Sequence, residues 1–149
     1  MLEDALKLLR QGVSVVAARS DSKRPIHNWL DFQKRLPTEE ELIKWFTDDS
    51  TANIGIVTGP ISGFFAIDFE NSVDMNAFQA AHNLPPTTTV RTGSNGTHLY
   101  YKYPTDLKIP TAARIFGKDS KWAVDVRGEG GFIVSPTSIH PVTKRPYEW

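Results

Sequence analysis

The chain has 149 residues, 17 Lys and Arg balanced by 17 Asp and Glu, 40% hydrophobic residues, 11% aromatics and no cysteine. This composition suits one globular domain, residues 1–149, and excludes disulfides, thiolate-ligated zinc and a largely disordered chain. Zero net charge argues against a free-standing domain that grips nucleic acid tightly, because phosphate contacts need clustered Lys and Arg. There is no long apolar run, and the acidic start Met1-Leu-Glu-Asp4 lacks a signal-type hydrophobic region, so a cytoplasmic protein with no membrane partner is expected.

Leu2, Ala5, Leu6, Leu8 and Leu9 recur at helical spacing, with Glu3 and Asp4 suited to the first turn and Gly12 placed to end it. Val13 to Ala18 is β-prone, Arg19 to Pro25 reads as a solvated polar loop, and Ile26 to Arg35 reads as a second helix. Thr38 and Glu41 have capping-box spacing ahead of an apolar face of Leu42, Trp45 and Phe46. Asn53 to Gly59 and the strand from Phe64 are joined by the turn-rich Pro60-Ile-Ser-Gly63, which predicts a hairpin. A helix over about Ser72 to Asn83 follows. Thr87 to Thr92 and Thr97 to Tyr103 flank the turn Gly93-Ser-Asn-Gly96 as a second hairpin. After a variable, mildly basic segment from Pro104 to Lys121, Trp122 to Arg127 and Phe132 to Ser135 flank Gly128-Glu-Gly-Gly131 as a third. Helices interleaved with antiparallel hairpins predict an α+β fold.

Strand alternation directs Asp68 and Glu70 to one side of their strand, and Ile67 and Phe69 to the other. Carboxylates so aimed repel unless a cation lies between them, and hard divalent ions such as Mg²⁺ or Mn²⁺ take oxygen ligands of this kind. Asp125 stands between Val124 and Val126 and faces away from the core side that the valines share. His98 follows a Gly-containing turn. With Arg91 or Arg127, a protonated or hydrogen-bonding His98 has the chemistry to hold a triphosphate.

The ordered set Asn53-Ile-Gly-Ile-Val-Thr-Gly59, Phe65-Ala-Ile-Asp-Phe-Glu70, Pro85 to Gly93 with Gly96-Thr-His-Leu-Tyr-Tyr101, Val124-Asp-Val-Arg-Gly128, and Gly130 to Pro136 with Ser138-Ile-His140 resembles the archaeo-eukaryotic primase superfamily. Within it, the chain is most similar to the bifunctional primase/polymerase (prim-pol) domain of phages, plasmids and mobile elements. The resemblance implies an RRM-like antiparallel sheet with packed helices plus a small second α/β unit. It also implies a nucleotidyltransferase that takes dNTP or NTP on a single-stranded DNA template. Asp68, Glu70 and Asp125 are then the metal ligands and His98 a phosphate contact, while Arg91, Ser94, Arg127, Ser138 and His140 line the nucleotide pocket by their place in the motifs. Gly96 departs from the pattern, since many relatives carry serine there. Longer relatives continue into a helical accessory domain and a helicase, which are the implied partners in primer initiation. Two other readings compete. One is a non-catalytic single-strand or origin-binding module; the other is a metal-dependent nuclease.

Overall fold

The computed structural model describes residues 1–149 as three α-helices, one 3₁₀ turn and seven strands. Its α+β character agrees with the sequence reading, and both of its sheets are antiparallel. The first has strand order β1-β2-β7, from β1 (Val15–Ala18), β2 (Asn53–Val57) and β7 (Phe132–Val134). The second has order β4-β5-β3-β6, from β3 (Phe64–Phe69), β4 (Thr88–Arg91), β5 (Thr97–Lys102) and β6 (Val124–Arg127). No helix is long and apolar enough to cross a membrane.

Helices α1 (Leu2–Arg10) and α2 (Glu39–Asp48) cover the three-stranded sheet. Their apolar faces meet β1 and β2 in a core of Ala5, Val15, Val16, Phe32, Leu42, Trp45, Phe46 and Ile54. Helix α2 begins with the expected capping box: the Glu41 amide donates to Thr38 Oγ1 at 3.1 Å, and the Thr38 amide donates to Glu41 Oε2 at 2.8 Å. Those two bonds satisfy amides that the first helical turn leaves without partners. Helix α3 (Ser72–His82) packs on the four-stranded sheet through Phe78, against Phe69, Leu99 and Val124. Asn71 caps its start, and Asn83 ends it in the left-handed conformation at φ 49°.

Three local expectations change. Ile26 to Arg35 contains only the 3₁₀ turn Leu30–Gln33. Here Pro25 bridges Ala18 and the Ile26 amide donates to the Ala17 carbonyl, which ties the segment to β1, and Phe32 anchors it in the core. Neither β2–β3 nor β6–β7 is a hairpin, because the chain changes sheet at each turn. Across the first turn only the bridge Gly59–Phe64 links the two strands. The hairpin β4–β5 does form, pairing Thr88 with Tyr100 through Arg91 with Thr97. Those two crossings bring the sheets together, and Ile56, Ala66 and Ile133 pack where they meet. A cleft opens beside that junction.

Candidate active site

Strand β3 is central in its sheet and pairs with β5 on one side and β6 on the other. Asp68 is therefore opposite His98 and opposite Asp125 in a single rung across three strands. Period-two alternation puts Ile67 and Phe69 against α3 and leaves Ala66 and Asp68 on the opposite face, with His98, Tyr100, Asp125 and Arg127 beside them. Ala66 is opposite Arg127, and its small side chain leaves the guanidinium room to lean along the rung.

Arg127 Nη2 donates to Asp125 Oδ2 at 2.7 Å and to Asp68 Oδ2 at 3.5 Å, so one cation compensates both acids. The second oxygen of Asp125 accepts the Arg114 backbone amide at 2.8 Å. His98 Nε2 lies 3.5 Å from Asp68 Oδ1. His98 is buried, and burial pulls its pKa below the usual histidine range despite the opposing pull of Asp68. Burial thus favours its neutral form, and its Nδ1 has no partner. Burial likewise raises the phenols of Tyr100 and Tyr147 well above the ordinary tyrosine value, so both remain protonated donors.

Asp68, His98, Asp125, Arg127 and Tyr147 line a cleft of about 460 Å³, completed by Lys23, Phe69, Glu70, Thr92, Ser94 and His140. A cavity of this size suits a nucleotide-sized ligand. The sequence pattern of bifunctional DNA primase/polymerase N-terminal domains matches residues 5–149. The chain belongs to that family. Comparison with curated proteins returned no match.

Prim-pol domains generally use divalent metals, and the donor chemistry here fits one. Asp68 and Asp125 are hard oxygen donors on one rung, already drawing a cation between them in Arg127. As arranged, no three His, Cys, Asp or Glu side chains converge tightly enough to hold an ion. Glu70 stands apart from the rung. It lies one residue beyond β3, its side chain is 74% exposed, and its one ionic contact is a long 3.9 Å approach to Arg114. An exposed carboxylate at a strand end has free rotamers with which to join the other two.

Of the residues that the prim-pol resemblance singled out, the fold gathers Asp68, Glu70, His98, Asp125, Arg127, Ser94 and His140 around the cleft. His140 Nδ1 accepts the amides of Val142 and Thr143, each at 3.2 Å, which leaves Nε2 as the protonated nitrogen. Two residues lie elsewhere. Ser138 is fully buried, and its hydroxyl accepts the Ile54 amide at 2.9 Å, fastening the C-terminal segment to β2. Arg91 pairs with Glu148 and lines a separate groove with Asn95 and Arg145. The glycine at 96 also acquires a reason. A Cβ there would meet the Phe69 carbonyl oxygen at 2.4 Å and Thr92 Oγ1 at 2.9 Å, so this backbone path has no space for the serine of relatives.

The sequence reading did not single out Lys23, Thr92 and Tyr147. Thr92 ended a predicted strand, and its hydroxyl accepts the Gly96 amide at 2.9 Å, closing the turn that presents Ser94. Tyr147 carried no local signal, since the segment that holds it pairs with the distant Arg91, and Lys23 lies in a loop that reads as solvated.

Proposed function

We propose that this chain synthesises or extends primers on single-stranded DNA by template-directed nucleotidyl transfer. The rung His98–Asp68–Asp125 in a nucleotide-sized cleft is the observation that carries this reading. The reaction is in-line attack of a primer 3′-hydroxyl on the nucleotide α-phosphate, with pyrophosphate as the leaving group. Asp68 and Asp125, joined by Glu70, would hold Mg²⁺ or Mn²⁺, which when bound favours the attacking oxygen and neutralises charge on the leaving phosphates.

The protein's own groups bind and orient. Arg127 is a planar donor already on the rung beside both acids, a group suited to phosphate oxygens. His98 supplies a neutral imidazole fixed by burial, while His140 Nε2 and the Ser94 hydroxyl offer donors from two loops at the cleft. With no net charge to grip DNA, the domain draws template affinity from a partner, such as a helicase or a helical accessory domain.

The test is a gel assay with primed and unprimed single-stranded templates, dNTP or NTP, and Mg²⁺ or Mn²⁺. Products on either template from wild type, absent with Asp68→Ala and Asp125→Ala proteins that still fold, support the proposal. Full activity in Asp68→Ala would sink it. Absence of any product, together with DNA binding indifferent to metal, would favour a binding module. Shortening of the DNA would favour a nuclease.

A further inference from the structure

The turn after β1 is exposed, as its composition suggests, and is tied by its own bonds. The Arg19 amide donates to the Arg24 carbonyl at 2.7 Å, Pro25 bridges Ala18, and Arg19 forms a two-pronged pair with Asp21 at 2.9 and 2.7 Å. Arg19 and Asp21 thereby satisfy each other. Lys23 does the opposite. Its backbone is left-handed at φ 59°, an uncommon conformation for a lysine, and its partly buried side chain lines the cleft. The ammonium forms no ion pair or hydrogen bond with the protein; burial pulls its pKa below the usual lysine range, and Asp68 pulls weakly the other way. Lys23 also lines the adjoining recess of about 230 Å³ between the sheets, shared with Asp68, His98, Arg127, Phe132 and Tyr147. The ammonium is thus a cation on the cleft wall with no protein hydrogen-bond partner.

We propose that Lys23 binds a non-reacting phosphate of the nucleoside triphosphate, reaching it from the three-stranded sheet while the acids act from the four-stranded one. This rests on the polymerase reading above. Asp68, Glu70 and Asp125 repel a polyphosphate tail wherever no metal bridges them, so the tail needs a cation on another wall. A lysine ammonium is a compact point charge suited to phosphate oxygens. His140 Nε2 and Ser94 Oγ flank the same space as neutral donors.

The test uses the whole chain as wild type, Lys23→Asn and Lys23→Arg. Asparagine accepts a left-handed backbone, so Lys23→Asn removes the charge without adding strain, and thermal unfolding checks that it folds. Inorganic triphosphate is titrated calorimetrically in Mg²⁺, a labelled single-stranded oligonucleotide is titrated separately, and nucleotide KM and kcat are measured on a primed template. Loss of one charge-assisted contact predicts triphosphate affinity weakened roughly ten- to a hundredfold in Lys23→Asn. A comparable rise in KM with a smaller change in kcat is expected, and Lys23→Arg retains most of the affinity. Unchanged triphosphate affinity in folded Lys23→Asn overturns the proposal, as does a loss confined to oligonucleotide binding, which would assign Lys23 to template phosphates. If wild type binds triphosphate through Lys23 yet incorporates no nucleotide, the phosphate site stands and the polymerase reading falls. If wild type extends primers and Lys23→Asn matches it in KM, only the Lys23 assignment falls.

Discussion

Replacing Arg127 by methionine tests whether the two rung acids require a cation. Arg127 is 30% exposed, and its 2.7 Å bond to Asp125 is a charge-assisted contact worth about 2 kcal/mol after allowance for solvent screening. Removing it also leaves Asp68 and Asp125 facing each other on neighbouring strands with no cation between them. At about 5 Å and an effective dielectric between 20 and 80, that repulsion is roughly 1–3 kcal/mol. Methionine regains part of the loss by packing its stem, so the net cost is about 3 kcal/mol, or roughly 6–12 °C in midpoint for a chain of this length. The assay is thermal unfolding of wild type and Arg127→Met, with chelator and across a Mg²⁺ titration. Magnesium should raise the variant's midpoint more than that of wild type, because the ion replaces the lost charge without first displacing a guanidinium. A variant as stable as wild type in chelator, with no greater response to Mg²⁺, would refute the idea that the rung requires a cation.

Gly96→Ser should destabilise the domain by about 1–3 kcal/mol in urea unfolding, since its Cβ would meet the Phe69 carbonyl oxygen at 2.4 Å. Ser138→Ala should cost about 1–3 kcal/mol by orphaning the buried Ile54 amide, yet leave the nucleotide KM of the folded protein unchanged, because the hydroxyl does not face the cleft. His98 has a depressed folded pKa, so below about pH 6.5 the unfolded chain takes up a proton that the fold refuses. Its neutral form therefore favours folding above that pH, and stability falls on acidification by up to about 1.4 kcal/mol per pH unit until His98 itself protonates. The slope should flatten in His98→Asn, as read by urea midpoints between about pH 5 and 7.

Much of the local structure was legible because it depends on neighbours a few residues away. The Thr38–Glu41 capping box, the apolar face of α2 and the span of α3 all follow from helical spacing. Period-two alternation likewise places Asp68 on the face opposite Ile67 and Phe69, and Asp125 on the face opposite Val124, whatever the strands pair with. Pairing itself is non-local. Pro60-Ile-Ser-Gly63 and Gly128-Glu-Gly-Gly131 have the composition of hairpin turns, but each carries the chain from one sheet to the other, because β2 finds better partners in β1 and β7. Those crossings set the cleft beside the junction of the sheets, where it is lined by Tyr147 and by Lys23 from a turn that reads as solvated. Ser138 lies in the core and Arg91 at a separate groove, although both belong to motifs whose other members reach the site. The sequence by itself determined which faces carry the acids and which the core, since side-chain alternation is a property of the extended backbone. Only the tertiary structure decided which of those faces meet, because that depends on pairing between strands far apart in the chain.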